Sequence, residues 1–480
     1  MRSRSVDMAT IKKIYWHLIF VCFFVIHGVF VPSVLAKTPQ ICNSQKDLKQ
    51  VKLPVKNYNS ILEKPILNVM NELNELPIRF PNAISLASGR PSDKFCQPES
   101  SISAINTFIN YTKKNSSIPV NRLLGQYGKT SGIINEIIAK HLLIDENIKV
   151  KPENIILTVG FQEAAALCAM TLFNKNDVLL VPDPIFIGIA GIATLYGIHI
   201  ESIPYEDSLN INDIQGVIEK VRKAGKTVKA MYVISDFSNP QGSSLSLQDR
   251  KTLLAIAKKN SFLILEDNAY SMFRYEGEKI PSIKSLDDSG IVIYLGTFAK
   301  TLYPALRVGY IIVDQDIINQ NGVLVPLIDE MKKVKSFLTV NTPALDQAIV
   351  AGILLNNEYS LIQFNEEKRK YYVYNRDVMV QSLSEEFAGY KNITWNIPHG
   401  GFFLIVNLPF NFTQEMLEEC ASSYNVIVFP ESLLSLYQNT NNRIRLAFTN
   451  VPADEIKIAI TRFANFVKNK MQANNIDKQL

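Results

Sequence analysis

The stretch GTFAKTLYPALRVGY, residues 296–310, sets one lysine among small and hydroxylated residues, with an arginine a short way further on. A lysine that forms a Schiff base with a carbonyl compound needs its amine held at a fixed point. A phosphate bound nearby needs hydroxyl, backbone N–H or guanidinium donors. Lys300 supplies the amine, Thr297 a hydroxyl and Arg307 a guanidinium. Alone, the stretch is equally compatible with a surface turn carrying solvated charges. Upstream lies ILEDNAYSMF, where the apolar run 262–265 reads as a buried strand whose polar end presents Glu266, Asp267, Asn268 and Tyr270. Ligands of open α/β sheets gather at the carboxyl ends of strands. A carboxylate there suits a pyridinium nitrogen, because a protonated ring withdraws electrons from a substrate carbanion. Asp267 is the candidate, with a helix N-cap as the other common use of an Asp at such a place. In MYVISDFSNPQGSSLSLQDR a strand, a turn and a helix start follow one another. Asn239 at the turn is either a turn former or a hydrogen-bond partner for a ring hydroxyl.

The elements that would position these residues are legible from periodicity. Residues 154–314 alternate apolar runs (IILTV, VLLVP, AMYVIS, FLILED, IVIYLG, YIIV) with helix-like segments. Such alternation predicts an α/β fold with a mostly parallel central sheet covered by helices. After Thr342 a long helical stretch is expected through Tyr374, then shorter strands at GGFFLIVNL, NVIVF and RIRLAF and a final helix. These predict a smaller α+β C-terminal domain. At 480 residues the chain exceeds one ordinary core. Hydrophobic content of 47% with 20% charged residues describes a globular protein, and a net charge of +5 is too small to argue for nucleic acid. No spacing of Cys, His, Asp and Glu suggests a metal site.

In this order the motifs resemble the fold-type I aminotransferases that use pyridoxal 5'-phosphate (PLP), in the class I/II group containing kynurenine and 2-aminoadipate aminotransferases. The resemblance covers nearly the whole chain from about Tyr58 onward. It implies a large PLP-binding domain over residues 76–342, a small C-terminal domain over 343–480, and an N-terminal segment, 37–75, packed with the small domain. ISLASGRPSDKF is similar to the family's entry loop, which puts Gly89 close to the substrate. GQYGKTSG resembles its tyrosine-glycine turn, so Tyr127 is expected to reach the cofactor phosphate of a neighbouring subunit in a homodimer with shared sites. TVGFQEAAALCAM resembles the phosphate-cradling turn at a helix N-terminus, occupied here by Gly160, Phe161 and Gln162. In PDPIFIG, Phe186 matches the ring that stacks on the pyridine. By the same carry-over Asn239 lies beside the ring hydroxyl and the substrate, Asp267 pairs with the pyridinium, and Tyr270 hydrogen-bonds the ring oxygen. Lys300 is the Schiff-base lysine, and Thr297 and Arg307 are phosphate ligands. NNRIRLAFTN places Arg445 where the family binds the substrate's α-carboxylate, a task for a planar guanidinium. Strand alternation puts Arg443 on the same face and does not choose between the two; the family pattern favours Arg445.

The implied reaction moves the amino group of an α-amino acid to a 2-oxo acid, with Lys300, released from the cofactor, as the base for the α-proton. Partial desolvation and a neighbouring pyridinium should lower this lysine from its usual ~10.4. The same constellation serves β-elimination, decarboxylation or cyclisation, and a non-catalytic ligand-binding module is the reading from another class. The chain departs from the family at three places. Phe161 and Ala299 stand where hydroxyl residues are usual, each removing a phosphate hydrogen bond worth roughly a kcal/mol or more. Glu431 and Ser432 in VFPESLL stand where a small residue often follows the proline.

Residues 1–13 carry Arg2, Arg4, Lys12 and Lys13 against Asp7, and precede IYWHLIFVCFFVIHGVFV and PSVLA. This predicts a secretory signal peptide over residues 1–36, with Val34 and Ala36 before Lys37. The length of the apolar run leaves an uncleaved membrane anchor as the alternative. The enzyme is then expected outside the cytoplasm, secreted or periplasmic, with a membrane as partner only if the segment is retained. In an oxidising compartment Cys42 and Cys96 are possible partners, whereas Cys168 reads as a buried core thiol.

Overall fold

The computed structural model describes residues 58–205, 209–211, 213–437 and 441–476. The expected leader, residues 1–36, and Cys42 lie outside the described residues. In chain order the first strands are β1 (Ile84–Ser85), β2 (Ile155–Val159), β3 (Asp177–Asp183), β4 (His199–Pro204), β5 (Thr227–Ile234), β6 (Leu263–Asn268), β7 (Val292–Thr297) and β8 (Val308–Ile312). Seven form one sheet in the order β2-β8-β7-β6-β5-β3-β4. The neighbours β7-β6-β5-β3-β4 are parallel, while β8 runs antiparallel to both β7 and β2. The length of the connection explains the exception. Residues 298–307 are too few for the crossover a parallel neighbour requires, so the chain turns back beside β7. That short return holds Lys300 and Arg307.

The six apolar runs read as strands all become strands of this sheet. The edge strand β4 had no such signal, since four of its six positions are only half-buried and His199 and Glu201 interrupt the pattern. Helices follow from local chemistry. Leu247–Asn260 starts at a capping box in which the Ser246 side chain takes the Asp249 N–H and the Asp249 carboxylate takes the Ser246 N–H. The expected helix from Thr342 through Tyr374 is instead two, Ala344–Asn356 and Glu366–Glu386. Glu358 and Tyr359, at φ 50° and 65°, stand in the left-handed region between them, which no α-helix crosses.

Beyond the small hairpin β9 (Asp316–Ile318) and β10 (Leu324–Pro326), the remaining strands are β11 (Thr394–Trp395), β12 (Phe403–Asn407), β13 (Val426–Ile427), β14 (Phe429–Pro430) and β15 (Arg443–Ala447). Four of these make an antiparallel sheet in the order β11-β12-β15-β14. The fifth, β13, pairs in parallel with β1, Ile84 against Val426 and Ser85 against Ile427. Residues 84–85, inside the range assigned from sequence to the large domain, are thus hydrogen-bonded to the C-terminal region. One apolar cluster runs without a break from Tyr232 and Leu265 in the large sheet through Phe273 and Phe402 to Phe448 and Phe463.

Candidate active site

The carboxyl ends of β5, β6 and β7 converge on one place. Asp267 is the penultimate residue of β6, not a helix cap, and is almost completely buried. Its Oδ2 accepts a 2.6 Å hydrogen bond from the Tyr232 hydroxyl, while Oδ1 is buried without a partner. Burial raises its pKa to about 7 against the opposing pull of Tyr232 and Lys300. Glu266 next to it is equally buried but used up: Ser235 Oγ, Ile283 N and Lys284 N all donate to it, at 2.6, 2.8 and 2.7 Å. Strand alternation explains the contrast, since adjacent carboxylates on β6 face opposite sides of the sheet.

Lys300 lies just beyond β7, half-buried, and its Nζ donates to the Gly89 carbonyl at 2.7 Å. Its ammonium sits 5.6 Å from the centre of the Phe402 ring and 5.9 Å from that of Tyr270. Desolvation, then the positive charge of Arg445, lower its pKa to about 8, with Asp267 opposing and Arg307 and Arg90 adding smaller pushes. The Tyr270 phenol is pushed well up by burial, and its hydroxyl meets the Asn239 side chain. Asn239 Oδ1 in turn accepts from Arg445 Nη1 at 2.8 Å.

Arg445, in β15, is 2% exposed and lies over the Phe403 and Phe429 rings at 4.5 and 5.1 Å. Its Nη2 donates to the Ala87 carbonyl at 2.6 Å, Nε has no partner, and no carboxylate pairs with it among the described residues. Burial alone lowers this guanidinium to about 10. A buried, unpaired arginine is costly unless an anion arrives. Gly89 closes the circle, because a Cβ there would stand 2.1 Å from Phe403.

A second group borders the first. Gly160 begins the helix Gly160–Leu172 at φ +67°, and a Cβ on it would come within 2.3 Å of Arg307 Nη2. Arg307, itself at φ 49°, has no carboxylate partner among the described residues. The one acid of the helix's first turn, Glu163, accepts from the Val159 N–H at 2.6 Å and is paired with buried Lys335 at 2.8 Å, which offsets its negative charge at the positive helix end. Phe161 meets Phe186 and Tyr232 edge-on, with centroids 5.7 and 6.2 Å apart. Gln162 packs with Phe186 against Gly188. Thr297 Oγ1 accepts from the Ala299 N–H at 3.2 Å. Only Tyr127 stands apart, 86% exposed on a groove it shares with Lys332.

Sequence reasoning missed Tyr232 and Lys368. A tyrosine inside a fully buried strand needs a partner for its hydroxyl, and that was the available signal. Lys368, from the Glu366–Glu386 helix, donates to the Thr301 and Leu302 carbonyls at 2.5 and 2.9 Å and so holds the chain directly after Lys300. Nothing in its local sequence marks it.

The donor set fits PLP. An amine at Lys300, an acceptor without a donor at Asp267 Oδ1, and a guanidinium beside a helix N-terminus match an aldehyde, a protonated ring nitrogen and a phosphate respectively. Arg445 remains for a substrate carboxylate. The sequence model of the family Aminotransferase class I and II matches residues 81–463. The chain is 37% identical over 427 residues to the (S)-3,5-dihydroxyphenylglycine transaminase of Amycolatopsis orientalis, covering 88% of this chain and 96% of that one. It is 29% identical over 440 residues to aromatic-amino-acid aminotransferase 1 of Thermococcus litoralis, covering 89% and 99%. The kynurenine aminotransferase of Pyrococcus horikoshii, solved with PMP, superposes with a TM-score of 0.72 at 27% identity, over 89% of this chain and 97% of that one.

Proposed function

The chain belongs to the class I and II aminotransferases, and on that premise we propose that Lys300 is the amine that carries its PLP and that the favoured donor is an α-amino acid with an aromatic side chain. The enzyme moves an amino group from an amino acid to a 2-oxo acid. PLP, when bound, supplies the electron sink for this exchange. The observation that carries the assignment of roles is the convergence of three ionisable side chains that form no salt bridge among the described residues, Lys300, Asp267 and Arg445, close enough for both others to act on the lysine. Asp267 would hold the ring nitrogen's proton, Tyr270 and Asn239 would orient the ring oxygen, and Gly160, Phe161, Gln162, Thr297 and Arg307 would take the phosphate. Phe186 would cover the ring. Arg445, Asn239 and Gly89 seat the substrate. Lys300, whose pKa of about 8 leaves a neutral fraction at mildly alkaline pH, takes the α-proton and returns it. The aromatic preference is supported by the rings of Phe402, Phe403 and Phe429 around Lys300 and Arg445, and by the names of the relatives above.

A homodimer is part of this reading. Tyr127 is 86% exposed, which leaves its ring free for a second copy, to whose phosphate it would then reach. The partition into a large domain (76–342), a small domain (343–480) and an N-terminal segment (37–75) belongs to it as well. So does export, supported by the composition of residues 1–36 and testable by fractionating cells that express the full chain. The deciding experiment is a spectral titration of the PLP-loaded protein with single amino acids and no oxo acid, with Lys300→Ala as control. Stoichiometric conversion to the pyridoxamine form by aromatic amino acids is expected. Release of ammonia or carbon dioxide without that form would point to another PLP reaction.

A further inference from the structure

Beside Arg445 stands a second arginine that is already occupied. Glu431 is completely buried, and its Oε2 lies 3.0 Å from Arg443 Nε. Gln241, also buried, donates to Glu431 Oε1 at 2.8 Å and accepts from Arg443 Nη2 at 2.7 Å. Register produces this closed triangle. In the β14–β15 pair Phe429 faces Arg445 and Pro430 faces Ile444, so the next step sets Glu431 against Arg443. Arg443 and Arg445 share one face of β15. Each donates to a side chain of the same turn, Arg443 to Gln241 and Arg445 to Asn239, so the two guanidiniums stand side by side on one wall.

We propose that Glu431 is a specificity-determining residue: by neutralising Arg443 it leaves Arg445 as the single carboxylate-binding cation of this wall and excludes amino acids that carry a second carboxylate. This rests on Arg445 being the α-carboxylate site. A dicarboxylic substrate seated there brings its distal charge to a wall whose other guanidinium is already ion-paired. A second carboxylate must then lose its water without gaining a counter-charge on this wall, while a neutral or aromatic side chain meets no such cost. A carboxylate in place of the small residue usual after this proline thereby acquires a role.

The test uses the full-length, PLP-loaded protein and two probes without an amino group, glutarate and 3-phenylpropanoate, whose dissociation constants are read from the absorbance of the bound cofactor. Half-reaction rates with L-glutamate and L-phenylalanine are measured alongside. Wild type is expected to favour the monocarboxylate in both measurements. In Glu431→Gln the ratio should move toward the dicarboxylate by about tenfold or more, the scale of one hydrogen bond to a charged group. The double variant Glu431→Gln/Arg443→Gln, which strands neither charge, should fall between the two and covers the case in which the single variant does not fold. Wild type that binds glutarate as tightly as 3-phenylpropanoate, or a folded variant with an unchanged ratio, overturns the inference. Failure of wild type to convert with any amino acid would instead overturn the reading beneath it, whereas the change of probe ratio between wild type and Glu431→Gln speaks to Glu431 alone.

Discussion

Asp267 and Lys300 are perturbed in opposite senses, and each perturbation predicts a pH dependence. Asp267 titrates near 7 in the fold against ~3.9 unfolded, so between those values the native protein holds the extra proton. Its contribution to apoprotein stability is present below about pH 4 and is lost as pH rises to about 7. Asp267→Asn removes a buried carboxylate, and should raise the melting temperature of the apoprotein at pH 8 while lowering transamination by roughly a hundredfold or more. A variant that is both less stable and fully active would contradict the assignment. Lys300 lies at about 8, below the unfolded lysine value of ~10.4. Between these values the unfolded chain binds more protons, so this group adds stability as pH rises through that window. The rate at which apoprotein captures PLP covalently should climb up to about pH 8 and then level off, and should vanish in Lys300→Ala. Stopped-flow absorbance at several pH values reads this directly. Both residues were legible in sequence because an apolar strand-like run leads into each and the motifs around them resemble those of the family. What sequence could not show was which of two adjacent carboxylates keeps a free oxygen, a matter of what Ser235 and the 283–284 backbone donate to Glu266.

At the scale of elements, the return from β7 to β8 and the start of the Gly160–Leu172 helix lie against each other. Gly160→Ala puts a methyl where Arg307 Nη2 now stands and strains a residue at φ +67°. PLP affinity should fall about tenfold or more, measured by equilibrium dialysis, with little effect on the far-ultraviolet dichroism. Periodicity revealed the parallel core because those strands are buried on both faces and read as continuous apolar runs. It failed where that condition fails: at half-exposed β4, at two-residue β1 and β11, and at the break between Ala344–Asn356 and Glu366–Glu386. Lys368 escaped for a related reason, since its partners are backbone carbonyls some 66 residues away, which no local pattern encodes.

At the scale of the whole molecule, Tyr127 is isolated within its own chain, so its role is testable by mixing. A Tyr127→Phe protein and a Lys300→Ala protein, unfolded and refolded together, should yield hybrids in which one site regains wild-type PLP affinity. Recovery requires Tyr127 to act across subunits, and its absence would place the residue outside the site. The pairing of Ile84–Ser85 with Val426–Ile427 has a consequence in time. A ribosome adding ~5–20 residues per second needs on the order of tens of seconds to deliver the second strand after the first. Gly89, whose carbonyl holds Lys300, hangs from that early strand. A nascent chain therefore owns its lysine and its aspartate well before it owns the clamp that aims them, and vitamin capture becomes an event of the finished polypeptide.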